Sequence, residues 1–192
     1  MKKNLFFIVA LTFLSATAFS QGVSFGVKAG LSISNEKVSS NGFSGSPSSL
    51  VGFHGGAYLT AMFSEHLGLQ PELLYSGQGY KSGSTSVHVN YITVPILVRY
   101  NVNDLISFHA GPQIGFLASA KAKDGSNSVD IKSDYKSTDF GIAFGGTVDL
   151  PMGLNFTLRY GLGLANVNTE SDPKVTNGTF QISAGYRLFG GK

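Results

Sequence analysis

Large apolar side chains occupy every second position of this chain, in one stretch after another. From Leu154 to Ala165 the even positions through Leu164 are Leu, Phe or Tyr, while the odd ones are Asn155, Thr157, Arg159, Gly161, Gly163 and Ala165. A period of two is that of a β-strand with one greasy face and one small, polar face. Twelve residues is long for a globular strand, but about 9 to 11 suffice to cross the apolar part of an outer membrane at a tilt. The same alternation predicts seven further strands: Val23 to Ile33, Val51 to Phe63, Leu67 to Tyr80, Tyr91 to Val102, Ile106 to Ser119, Thr138 to Leu150 and Gly178 to Phe189.

The connections alternate long and short. Long ones begin near Ser34, Lys81, Ala120 and Val167; short ones lie at Ser64-Glu65-His66, around Asn103-Asp104 and at Pro151-Met152-Gly153. An even number of strands joined in this way predicts short periplasmic turns, four long external loops and both termini inside. The predicted fold is therefore all-β: an eight-stranded antiparallel up-and-down transmembrane β-barrel of outer-membrane type. A soluble secreted barrel with its apolar face around a ligand is the competing arrangement. Glycine decides between them, because Gly26, Gly30, Gly52, Gly56, Gly111, Gly115, Gly141, Gly145, Gly161, Gly163 and Gly185 all fall on the polar face. Small residues belong where eight strands leave only a narrow interior. The apolar stripes end in aromatics that suit two interfacial girdles, with Phe63, Tyr100, Phe108, Phe156 and Tyr186 toward the short turns and Phe53, Tyr75, Phe116, Phe140 and Phe180 toward the loops. Pro71, Pro95 and Pro112 lack a ladder donor, which predicts bulges or fraying at those points.

Composition adds an address. Met1 to Ser20 places Lys2 and Lys3 before an apolar run, Leu5 to Leu14, and ends in Ala18-Phe19-Ser20, the plan of a secretory signal peptide. Cleavage after Ser20 leaves one domain, residues 21–192. Without Lys2 and Lys3 the 14 Lys+Arg become 12 against 11 Asp+Glu, a net charge of +1, so charge gives no reason to expect a nucleic-acid partner. The chain has no cysteine, hence no disulfide framework, thiolate metal site or lipid-acceptor cysteine. After the signal no run approaches the ~20 apolar residues of a spanning helix.

Charges on the polar face are the candidates for chemistry: Lys28, Glu72, Arg99, Asp149, Arg159 and Arg187, together with His54 and His109. Four cations meet two carboxylates there, and the expected arrangement is a salt-bridged plug, since an unpaired charge in a narrow barrel is costly. Glu72 is expected to neutralise Arg99 across neighbouring strands. An anion site built on the cationic excess is the sharper alternative. No histidine lies on the lipid-facing stripe, no metal-ligand spacing occurs, and the glycines follow strand packing instead of a phosphate loop. No catalytic, cofactor-binding or metal residue is assigned. Ala120 to Ser137, with Lys121, Lys123, Asp124, Asp130, Lys132, Asp134 and Lys136, reads as a solvated loop of mixed charge able to touch lipid headgroups, polysaccharide or a partner protein.

The strand sequences resemble the PorT-like outer-membrane β-barrel family of Bacteroidetes. The resemblance rests on GVKAGLSIS at Gly26 to Ser34, GFHGGAYL at Gly52 to Leu59, LQPELLYSGQGY at Leu69 to Tyr80, YITVPILVRY at Tyr91 to Tyr100, HAGPQIGFLASAK at His109 to Lys121, DFGIAFGGTVDL at Asp139 to Leu150, RYGLGLANV at Arg159 to Val167 and FQISAGYRLF at Phe180 to Phe189. It implies an eight-stranded barrel and an outer-membrane location, and it implies little about activity. The expectation is a monomeric structural or interaction protein contacting outer-membrane lipid and an envelope or surface protein. An accessory subunit of a secretion system and a lipid-modifying enzyme are the alternatives.

Overall fold

The computed structural model describes residues 22–40, 43–45, 47–125, 127–170 and 172–190. The segment read as a signal peptide lies outside them. Ten strands follow in chain order: β1 (Val23–Ser40), β2 (Phe43–Gly45), β3 (Ser48–Met62), β4 (Leu67–Ser82), β5 (Thr85–Asn101), β6 (Ile106–Asp124), β7 (Asn127–Asp130), β8 (Thr138–Asp149), β9 (Leu154–Gly163) and β10 (Lys174–Phe189). Eight of these form an antiparallel ring in the order β1-β3-β4-β5-β6-β8-β9-β10, with β10 paired back onto β1. The two short strands lie outside the ring, β2 on β1 and β7 on β6. Closure matters because hydrocarbon offers no partner to an unpaired backbone edge. No helix among the described residues is long and apolar enough to span a membrane.

Polarity is inverted relative to a water-soluble domain. Leu31, Phe53, Leu73, Val98, Phe108, Phe140, Leu158 and Ile182 are exposed, while their neighbours Ser32, His54, Glu72, Leu97, His109, Thr157 and Ser183 are buried. A continuous apolar band round the ring far exceeds what a soluble monomer leaves to water, and it suits lipid. Both sets of aromatics proposed as girdles point outward: Tyr100 faces Phe108 in register, and Phe53 stacks on Tyr75 with ring centroids 5.6 Å apart. Inside, the glycines make room. A Cβ on Gly26 would stand 2.4 Å from the Tyr58 ring and 2.6 Å from the Tyr186 carbonyl oxygen.

Several predicted boundaries change. Lys81 to Val89 is not a loop: β4 and β5 run on to a tight turn, with Ser82 paired to Thr85 and Gly83 at φ 59°. β1 continues through Ser34 to Ser40, β6 extends past Ala120 to Asp124, and β10 begins before Gly178, at Lys174. These extensions lie above the apolar band, where outward residues meet water and become Ser, Asn and Lys, so the greasy stripe fades while the ladder persists. At the prolines the ladder frays, one of the two outcomes expected, and does not bulge. Pairing skips the rungs between Pro71 and Leu74 on β4, and between Pro95 and Val98 on β5, yet the register on either side is unchanged. A missing donor costs rungs without forcing a bulge. The register shifts fall elsewhere, at Phe25/Gly26, Ser49/His54 and Asn90/Tyr91.

Candidate functional site

Strand parity points the even positions of β1, β3 and β4 and the odd positions of β5, β8, β9 and β6 as far as Leu117 toward the axis, so groups far apart in sequence meet inside the ring; the extra residue Ala118 then reverses β6, burying Ala120 and turning Lys121 and Lys123 outward. At mid-height Glu72 of β4 is the hub. Its Oε1 accepts from Lys28 Nζ of β1 at 2.9 Å and from Gln70 Nε2 at 2.7 Å. Arg159, on the opposite wall in β9, donates from Nη1 to Oε2 and from Nη2 to Oε1, both at 2.7 Å. The Glu72 side chain has 0% exposure, and those of Lys28 and Arg159 2%. Arg159 Nε donates to His109 Nε2 of β6 at 3.1 Å, which makes that nitrogen an acceptor and places the ring proton on Nδ1. Bidentate, charge-assisted geometry is what a buried pair needs to offset desolvation.

Toward the short turns a second cluster ties β4, β5 and β8. Arg99 pairs with Asp149, donates from Nη1 to Gln70 Oε1 at 3.0 Å, and donates from Nε to Asn101 Oδ1 at 3.0 Å. The expected Glu72–Arg99 pair is therefore replaced by Glu72–Arg159 and Arg99–Asp149, because Arg99 stands opposite Gly68, four residues along β4 from Glu72, while Arg159 reaches Glu72 across the lumen. His54 stands apart from both clusters, with Nδ1 3.0 Å from Ser32 Oγ and Nε2 2.7 Å from Ser183 Oγ. Two serines on a histidine suggest a nucleophile, but among the described residues no carboxylate bonds to His54, and the residue is 1% exposed. Arg187 forms no ion pair among the described residues. Nor do three or more His, Cys, Asp or Glu side chains come together there to hold a metal.

Sequence reading missed the outer mouth. Glu36, taken as loop, continues the inward parity of β1 and is buried beside Asn177, its register partner on β10. Asn177 Nδ2 donates to Asp139 Oδ2 at 2.8 Å. Around them lies an apolar cap of Val87, Val89, Tyr91, Leu117 and Ala120, against which Tyr80, Ala122, Ile131 and Tyr135 pack. The β6–β8 connection folds over this cap. Ile131 N donates to Ala120 O, Leu117 N to Ser137 O, and Tyr135 OH crosses the mouth to Glu36 Oε1 at 2.9 Å. The β9–β10 connection joins it, through Lys136 N to Val167 O at 2.7 Å and Thr169 N to Asp134 O at 3.1 Å. Burial pushes the Glu36 carboxyl up to about 7; the Tyr135 hydrogen bond opposes that shift and the Asp139 charge adds to it. Burial and the Glu36 charge raise the Tyr135 hydroxyl, which stays a donor. The interior is thus plugged at mid-height by ions and lidded above by a hydrogen-bonded apolar cap.

The family model described as the outer membrane protein beta-barrel domain matches residues 19–168. Among solved structures, the chain is similar to Ail, the attachment invasion locus protein of Yersinia pestis, with 17% identity and a TM-score of 0.51 over 88% of this chain and 99% of that one. It is also similar to Neisserial surface protein A, with 18% identity and a TM-score of 0.57 over 88% of this chain and 100% of that one. At such identities the likeness concerns the fold. No curated protein matches the chain in sequence.

Proposed function

Because the chain belongs to the family of outer membrane protein beta-barrel domains, we propose that it is a closed, non-conducting outer-membrane barrel of the PorT-like type that holds a shaped external rim for contact with another envelope or surface protein. The observation that carries this reading is the double obstruction of the interior. The Lys28–Glu72–Arg159–His109 network spans the lumen from wall to wall, and Tyr135 fastens the lid to β1 on the far side. A barrel that conducts nothing acts through its surfaces. The third and fourth external connections are hydrogen-bonded to each other, so the rim presents a fixed shape. The family segments quoted in the sequence support the PorT-like placement.

Reconstitution into a planar bilayer tests the closed state: the expected trace shows no discrete steps, and reproducible ohmic openings would refute it. A photo-crosslinking residue at Val129, exposed on β7, is expected to capture protein in whole cells, whereas one at Leu158 captures lipid. Lipid adducts alone at both positions would remove the interaction role.

A further inference from the structure

Above the apolar band, the outer face of three adjacent strands carries a block of basic side chains in rows set by the register. The topmost greasy row on β4, β5 and β6 is Tyr75, Ile92 and Phe116. One rung higher stand Gly77, Asn90 and Ser119, with Asn90 Nδ2 donating to Ser119 Oγ at 2.9 Å. The next row is Gly79, His88 and Lys121, and above it Lys81, Ser86 and Lys123, flanked by Ser48 on β3 and Ser128 on β7. Rows two residues apart advance ~7 Å along a strand. The lysine rows therefore begin ~13 Å along the tilted strands beyond the last aromatics, and long lysine side chains reach back toward the interface.

We propose that Lys81, Lys121 and Lys123, with Ser86, Asn90 and Ser119 between and below them, form a docking site for the phosphate groups of a phosphorylated glycolipid in the outer leaflet. The site deepens the outer-membrane reading and rests on it. Charge complementarity and height on the barrel carry it. None of the three lysines forms an ion pair among the described residues. One acid shares their surface, Asp130 on β7, the register partner of Lys121, which leaves an excess of positive charge. Burial and then the Lys123 and Lys81 charges hold the His88 ring below its usual range, which registers the same positive field from the fourth basic group in the block. Hydroxyl and amide donors interleaved with the ammonium groups suit phosphate oxygens, and the apolar row beneath suits the acyl chains of the same molecule. On the opposite side of the ring, Lys37 and Lys174 on β1 and β10 form a sparser pair and serve as a control.

The full-length folded barrel is placed in phosphatidylcholine nanodiscs, and binding of fluorescent monophosphoryl lipid A is measured for the native chain, K81Q/K121Q/K123Q and K37Q/K174Q. At about a fivefold contribution per lysine near the surface, the triple variant is expected to bind roughly a hundredfold more weakly. The K37Q/K174Q variant is expected to match the native chain, and added salt to weaken native binding. Equal binding by the triple variant, or an equal loss in K37Q/K174Q, would overturn the site. Displacement of lipid A by inorganic phosphate at comparable concentration would also overturn it, because the ligand would then be the free anion. Heat-modifiable migration of every variant keeps the tests separate. A native chain that folds in lipid without preferring lipid A refutes the docking site alone, whereas one that fails to enter lipid refutes the outer-membrane reading beneath it.

Discussion

Replacing Glu72 with Gln keeps the shape of the hub and removes its charge. In the native barrel the carboxylate receives four hydrogen bonds from three residues, at 2.7 to 2.9 Å, with no water-facing surface. The variant leaves Lys28 and Arg159 facing each other with one neutral amide between them. Breaking a buried pair by removing one partner costs about 3 to 5 kcal/mol, a large part of an ordinary stability of about 5 to 15. Asp149 and Arg99 are partly solvated, at 23% and 11% side-chain exposure, so Arg99→Gln is expected to cost about 1 kcal/mol. Urea titration of the refolded barrel, followed by heat-modifiable migration, reads both. Adding Lys28→Met to Glu72→Gln removes one of the two repelling cations, so the double variant is expected to lose less than the sum of the singles, by at least about 1 kcal/mol. A Glu72→Gln midpoint within about 0.5 kcal/mol of native, or strict additivity, would show that the hub does not hold the walls together.

Three further outcomes follow from the geometry. Leu158→Arg places a charge on the exposed apolar band at about 2 to 4 kcal/mol, so it is expected to reduce the yield of folded barrel, while Ser128→Arg on the rim does not; equal yields would contradict the outward facing. Gly26→Val drives a side chain into the Tyr58 ring and the β10 backbone and is expected to lower the urea midpoint, whereas Gly83→Ala, with nothing within 4 Å of the added carbon, strains only the turn. The Glu36 carboxyl is raised above its ordinary 4.5 to about 7, so the closed lid holds the proton more tightly than the open one. Its contribution is complete below about 4.5 and is lost as pH rises through about 7. Hydrogen exchange at the Leu117 and Ile131 amides, corrected for intrinsic rates, should therefore lose protection between about pH 5 and pH 8. Glu36→Gln is expected to flatten that dependence, and a native profile already flat would refute the coupling.

The ring itself was legible because one physical rule, a period of two with lipid on one side, writes itself into every spanning segment. Leu154, Phe156 and Leu158 declare their face without help. The plug was legible only as a set of inward residues. Periodicity places Glu72 and Arg159 on the axis, but pairing depends on height and on distance across the lumen, which no single strand encodes, and so Arg99 was matched to the wrong carboxylate. The mouth was hidden for a different reason. Ser, Asn and Gly in residues 34–49 and 81–89 read as loop, because outward positions above the membrane face water and lose the apolar signal. Val87, Val89 and Tyr91 kept the alternation on the inner face, where the expected sign is polar. Glu36 and Asp139 continue the parity of their strands and were recoverable by extending it past the last greasy residue.

The rungs from Phe25 with Phe189 to Ser39 with Lys174 join the first ring strand to the last, and β10 lies beyond the stretch matched by the family model. The seam is made by the first and last strands of the ring, so the wall stays open until β10 is in place. A product terminated after β9 is not a smaller pore or a leakier vessel. It is a curved sheet with two bare margins, barred from hydrocarbon by its own unpaired amides. Closure of the ring thus rests on one sixteen-residue strand, paired on both of its edges.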